Sequence, residues 1–260
     1  MDILQYTRAC SEDLIQVIIL LEELEIPSSI RRREKLPFID INPNGRALGT
    51  YISFVLSIVT MNSQKLAIID PNTDLTLWES GAIMQYLVKQ YDTEKKLTCE
   101  KLQDEHLINQ WLMFQMSGQG PYFGQCGWFN ILHSEKIPSA IERYDTEVAR
   151  ILGVLERSLE GKKWLVGDKF TFADLSFAPW NDRIDTLFSY PPCSYEDNLI
   201  RKFPNVDAWH KRITERPAWK RSMIDREKRM DALGLMPNGM PKGVSNMEQY
   251  IAKMEAEGDA

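Results

Sequence analysis

The sequence predicts a chain in two parts, an α/β half followed by an all-α half, and three observations carry that expectation. Ile3-Leu4-Gln5-Tyr6-Thr7 alternates as a strand does, Leu14, Val17, Ile18 and Leu21 then mark one helix face, and residues 28–33 offer a second strand. Ala67-Ile68-Ile69-Asp70 and Leu75-Thr76-Leu77 flank Pro71-Asn72-Thr73-Asp74, which reads as a hairpin. Past the charged connector Tyr91-Asp92-Thr93-Glu94-Lys95-Lys96, the apolar spacing is helical throughout.

Taken in order, the first strand, helix and second strand form a β-α-β unit, and ligands gather beyond the carboxyl ends of strands in such units. Here that is the turn Thr7-Arg8-Ala9-Cys10-Ser11-Glu12-Asp13. Asn42-Pro43-Asn44-Gly45-Arg46 is turn chemistry, since Asn and Gly tolerate positive φ and Pro fixes the entry. An apolar run, Tyr51-Ile52-Ser53-Phe54-Val55-Leu56-Ser57-Ile58-Val59-Thr60-Met61, follows. It falls short of the roughly 17 to 25 residues that a membrane span needs. Leu77-Trp78-Glu79-Ser80-Gly81-Ala82-Ile83 then marks a strand becoming a helix, whose face continues through Tyr86 and Leu87.

In the second half Leu107, Trp111, Leu112 and Gln115 are expected to share a face, as are Val148, Ile151, Leu152, Leu155 and Leu159, and then Val206, Trp209 and Ile213. Gly118-Gln119-Gly120-Pro121 is expected to break the first long helix. Thr171-Phe172-Ala173-Asp174 is a capping-box signature and is assigned to stability. The expected organisation is residues 1–92, a linker 93–100, a helical domain 101–225, and a charged, Met-rich tail 226–260.

Composition narrows the function. The 260 residues are 43% hydrophobic and 26% charged, as in a soluble globular protein. A net charge of -6 argues against nucleic acid and anionic membranes as partners. The cysteines Cys10, Cys99, Cys126 and Cys193, and the histidines His106, His133 and His210, lack metal-ligand spacing, so no metal is expected. Without a signal peptide, the expected location is a reducing cytoplasm.

Glu79 and Ser80 are the first candidates for chemistry. A helix N-terminus welcomes a small anion, Ser80 adds a hydroxyl, and Glu79 could pair with an ammonium; an amino-acid head group would satisfy both. The alternative is ordinary capping. Ser11 is either an N-cap or a hydroxyl aimed at a thiol, and Cys10, beside a helix start, is the second candidate nucleophile.

With Asn42-Pro43-Asn44-Gly45-Arg46, Asp70-Pro71-Asn72, Trp78-Glu79-Ser80-Gly81-Ala82-Ile83 and Gly120-Pro121-Tyr122-Phe123-Gly124-Gln125 in hand, the chain resembles the glutathione transferase superfamily over roughly residues 3–219. Within it the fungal branch is nearest, the one that includes a yeast nitrogen regulator and transferase-like proteins of secondary-metabolite clusters. The resemblance implies a thioredoxin-like α/β N-terminal domain joined to an all-α C-terminal domain, glutathione as co-substrate, an electrophilic small molecule, and a homodimer. It implies that Glu79 and Ser80 hold the γ-glutamyl end, that backbone at Ala47 and Leu48 pairs with the peptide, and that Ser11 meets the sulfur. Tyr122, Phe123 and Trp128, with Phe129, would then lie over the cleft, stacking on an aromatic polyketide or forming core.

Three departures stand against that pattern. Glu12-Asp13 replaces Pro-Asn, so an ionised Asp13 would oppose a thiolate. Ala47-Leu48 replaces Val-Pro, and without proline a cis bond costs about 2.5 to 4 kcal/mol. Residues 49–66 are extra: removing them joins Leu48 to Ala67 and restores the family length, as a translated intron would require. The rival functions are a non-catalytic regulatory module, which lacks support from any long Asn/Gln-rich arm, and a thiol oxidoreductase using Cys10.

Overall fold

The computed structural model describes residues 3–6, 12–31, 66–188, 198–236 and 241–244, with positions 249 and 252. Four short strands, β1 (Ile3–Tyr6), β2 (Ser28–Arg31), β3 (Ala67–Asp70) and β4 (Leu75–Trp78), form one sheet in the order β2-β1-β3-β4. β1 and β2 are parallel and β1, β3 and β4 antiparallel in turn, with Gln5 opposite both Ile30 and Ile68. Parallel neighbours need a crossover, which α1 (Glu12–Glu23) supplies. The expected hairpin joins β3 to β4, and α2 (Ser80–Tyr91) follows at once.

Asp70 holds this unit together. Its Oδ1 accepts from the backbone and side-chain N–H of Asn72, both at 2.9 Å, and its Oδ2 from Tyr86 Oη at 2.6 Å and from Tyr91 Oη. Burial pushes this carboxyl up, and the hydrogen bonds outweigh it, leaving the group below its ordinary value. The hairpin is thereby fastened to α2.

The helical half comprises α3 (Leu102–Phe114), α4 (Gly120–Gly127), α5 (Pro138–Ser158), α6 (Phe172–Asn181), the short α7 (Ile184–Leu187), α8 (Pro204–Thr214) and α9 (Pro217–Ala232). The expected break at residues 118–121 does not occur. The chain stays helical from Leu102 to Leu132 by passing through two π-helical turns, Gln115–Gln119 and Trp128–Leu132. Pro121 follows directly on the first π-helical turn, whose widened backbone accommodates a residue without an N–H. α9 also runs on to Ala232, so the expected tail begins as helix, and Met230 is buried.

The expected faces of α5 and α8 are buried as read: Val148, Ile151, Leu152, Leu155 and Leu159, then Val206, Trp209 and Ile213. On α3 the face is rotated. Leu107 is 44% exposed, while Ile108, Leu112 and Gln115 point inward. Asp174 is enclosed and accepts from Thr171 N, Leu165 N and Trp209 Nε1, each at 2.9 Å. The capping box is therefore structural, as expected. Leu66, counted with the extra segment, packs into the core; the rest of 49–66 lies outside the described residues.

Candidate functional site

β4 turns into α2 at Glu79, which carries φ 73° and ψ 117°. Only glycine adopts such backbone without strain, and a side chain there costs about 1 to 3 kcal/mol. Glu79 O accepts from Ile83 N at 2.9 Å, closing the first turn, and no side chain caps the helix. Ser80, its first residue, donates its hydroxyl to Met116 Sδ at 3.6 Å. Neither Glu79 nor Ser80 thus spends its side chain on the helix end, whose first N–H groups lack helical partners. Gly81 lets Met116 come this close, since a Cβ there would lie 3.1 Å from its Cγ and Sδ.

Asp13 stands in the first turn of α1 beside Glu12. Burial, then Glu12, then Glu79 raise its carboxyl from 3.8 to about 7. The Trp180 indole N–H lies near enough to pull the other way without hydrogen-bond geometry. Burial thus opposes the ionised form of Asp13, the form that would oppose a thiolate. Near neutrality the group is therefore partly protonated, first because it is buried and then because Glu12 and Glu79 stand near it.

Row upon row of polar atoms lies behind it. Gln115 Nε2 donates to Gln119 Oε1 at 3.3 Å, and Gln119 Nε2 donates to Asn181 Oδ1 at 2.8 Å, all three residues being buried. Trp180 Nε1 and Gln115 Nε2 both lie within 4 Å of the place where a side chain on Gly120 would begin. These residues were not singled out from the sequence. The clue available was two glutamines spaced four apart amid glycines, which reads as a helix break unless a π-turn is foreseen.

Among the expected aromatic residues, Phe123 is wholly enclosed and meets Trp180 edge-on at 6.4 Å, so it is core and not cleft lining. Tyr122 and Trp128 are half-buried. They end a run of rings in which Tyr122 faces Tyr144, Phe129 stacks on both Tyr144 and His133, and Trp128 meets His133 edge-on. Burial pushes the thiols of Cys99 and Cys126 up, which leaves them poor nucleophiles. Cys10, Ser11, Ala47 and Leu48 lie outside the described residues.

Comparison with known proteins gives the family of the chain. Residues 121–217 match the family described as Glutathione S-transferase, C-terminal domain. The chain is 40% identical over 224 residues to the Glutathione S-transferase-like protein tpcF of Aspergillus fumigatus, covering 81% of this chain and 90% of that protein. It is 35% identical over 217 residues to the Transcriptional regulator URE2 of Saccharomyces cerevisiae, covering 70% of this chain and 58% of the regulator. A crystal structure of the glutathione transferase URE2P6 from Phanerochaete chrysosporium, in complex with oxidized glutathione, matches with TM-score 0.73 at 37% identity, covering 87% of this chain and 97% of that one.

Proposed function

Because the chain belongs to the glutathione S-transferase family, we propose that it binds glutathione and transfers it to an electrophilic small molecule in fungal secondary metabolism, with an aromatic polyketide as the acceptor. The observation that carries this reading is the strained entry to α2, where Glu79 makes no capping hydrogen bond and the adjacent Ser80 gives its hydroxyl to a thioether. Backbone strain of this kind persists where a function requires it.

In this reading the γ-glutamyl carboxylate takes the Ser80 hydroxyl and the first N–H groups of α2, and the ammonium pairs with Glu79. Backbone at Ala47 and Leu48 pairs with the peptide, and Ser11 donates to the sulfur. The thiolate then gives its electron pair to the electrophilic carbon, forming the C–S bond, while the bond to a leaving group breaks and that group departs with its pair, or, on an activated alkene or quinone, the π bond breaks and the acceptor takes up the proton that the thiol released. Tyr122 and Trp128 are the ring faces offered to a flat acceptor. A cytoplasmic homodimer is part of the same proposal.

Calorimetry with glutathione tests it: the Glu79→Ala/Ser80→Ala double variant is expected to lose affinity at least tenfold. Unchanged affinity overturns the reading. A non-catalytic regulator is the second reading, favoured by the carboxylate at Asp13 and by the likeness to the yeast regulator. Binding of glutathione with no turnover of any aryl halide or quinone would select it. A Cys10 oxidoreductase would instead lose thiol–disulfide exchange in Cys10→Ser and keep it in Ser11→Ala.

A further inference from the structure

Four contacts tie α1 to the helical half. Near its start, Glu12 Oε1 meets Arg183 Nε at 3.2 Å, with side chains only 4% and 9% exposed. One turn on, Gln16 Nε2 donates to Ser176 O at 2.6 Å. At the far end Arg216 grips Glu23 through Nε and Nη2 at 2.6 and 2.7 Å, and Arg221 Nε reaches Glu22 at 2.9 Å. In each ion pair the carboxylate is on α1 and the cation on the helical half.

The near pair stands apart from the far ones because Glu12 adjoins Asp13, which also feels Glu79 at the entry to α2. Consecutive residues of α1, Glu12 and Asp13, are met by Arg183 and Trp180, which belong to a single turn. That turn is pinned: Arg183 N donates to Trp180 O at 3.1 Å, and Arg183 O accepts from both Thr186 N and Thr186 Oγ1 at 2.9 Å. The charges around Arg183 are Glu12 from α1, Arg226 from α9, and Asp185 and Asp182 beside it. Among the described residues, those around Asp13 are Glu12 and, from the entry to α2, Glu79.

We propose that Arg183 is a positioning residue: by holding Glu12 in this buried ion pair it fixes the first turn of α1 across the domain junction and governs the charge that Asp13 presents to the cleft. For catalysis the proposal rests on the glutathione-transfer reading; for Asp13 itself it does not. A pair with both members enclosed is costly to break from one side, so its geometry persists. After burial, Glu12 is the largest influence keeping the proton on Asp13. Whatever bares or removes the Glu12 charge therefore moves Asp13, and a developing thiolate nearby responds in the same direction.

The test follows Asp13 by carboxyl-carbon NMR titration of the free, full-length chain, which requires no glutathione. Beside it, kcat/KM for glutathione is measured against pH with 1-chloro-2,4-dinitrobenzene. Arg183→Gln leaves Glu12 and Asp13 to share a proton, and the pair's last ionisation and the rate midpoint are expected to rise by about one pH unit. Glu12→Gln leaves Asp13 beside an unopposed cation, and both are expected to fall by about as much. Arg183→Lys is expected to restore the original midpoints. Arg216→Gln, at the far end, is expected to weaken resistance to urea and to move neither midpoint. Shifts of the same sign in the first two variants, or none, overturn the proposal, because a mere strut has no reason to act in opposite directions. If Arg183→Gln does not fold, an unmoved midpoint in Glu12→Gln alone overturns it. Opposite shifts of Asp13 in a chain that neither binds nor transfers glutathione sustain the positioning role and dismiss the transferase reading instead.

Discussion

Ser80 donates its hydroxyl to the thioether of Met116 at 3.6 Å, so the first residue of α2 leans on a sulfur from the first π-helical turn. A thioether is a weak acceptor, and a carboxylate arriving at the helix start would displace it readily. Ser80→Ala is therefore expected to change urea stability by less than about 0.5 kcal/mol while lowering glutathione affinity roughly tenfold. Chemical denaturation and calorimetry on the same preparation check both halves.

Glu79 offers the converse. With φ at 73°, its side chain holds the backbone in territory suited to glycine, so Glu79→Gly is expected to gain about 1 kcal/mol of stability. The same change removes the partner proposed for the ammonium. A rise in melting temperature accompanied by loss of retention on immobilised glutathione is the expected result.

Asp13 predicts a pH-dependent stability. Its folded value, about 7, is above the unfolded 3.8, so the folded chain holds a proton that the unfolded chain releases between those limits. Stability from this group is full below about pH 4 and declines as pH rises towards about 7. Asp13→Asn removes the cost of the buried charge. The variant is expected to be more stable than the parent by about 1 to 3 kcal/mol near pH 8, allowing for partial exposure, and by little near pH 4. Urea midpoints at the two pH values check it.

The Asp174 cluster predicts the largest structural loss. Asp174→Ala would strip acceptors from Leu165 N, Thr171 N and Trp209 Nε1 in a dry interior. A loss of about 3 kcal/mol is expected, without change in glutathione affinity for the fraction that remains folded.

Deleting residues 49–66 would set Leu48 directly before Ala67, in the place where Leu66 now packs. The shortened chain is expected to be retained on immobilised glutathione more strongly than the full one. Retention of neither removes most support for the transferase reading.

Where the fold was legible, one face of an element met one neighbour. Val148, Ile151, Leu152 and Leu155 announce α5 because its opposite side faces water. α1 was found from Leu14, Val17, Ile18 and Leu21, yet Ile15, Ile19 and Leu20 are buried too, since the helix packs against α2, α6 and α9 at once. Periodicity reports one dry face and cannot report several. Glu79 and Ser80 were visible as a pair because the strand-to-helix junction that marks them is local. Glu12 and Arg183 were not, since nothing in residues so distant in sequence signals that they meet.

The two π-helical turns carry a consequence for how this chain tolerates change in length. Each wide turn accommodates an additional residue, whereas an α-helix advances about 100° per residue. Removing one residue from the 115–119 segment would return it to α-helix and leave Phe123 in step with Trp180, whereas removing one from α3 would swing that ring about 100° around the axis. The glycine-rich stretch between Met116 and Pro121 is thus the place where the rod can lose a residue with least disturbance to its second half.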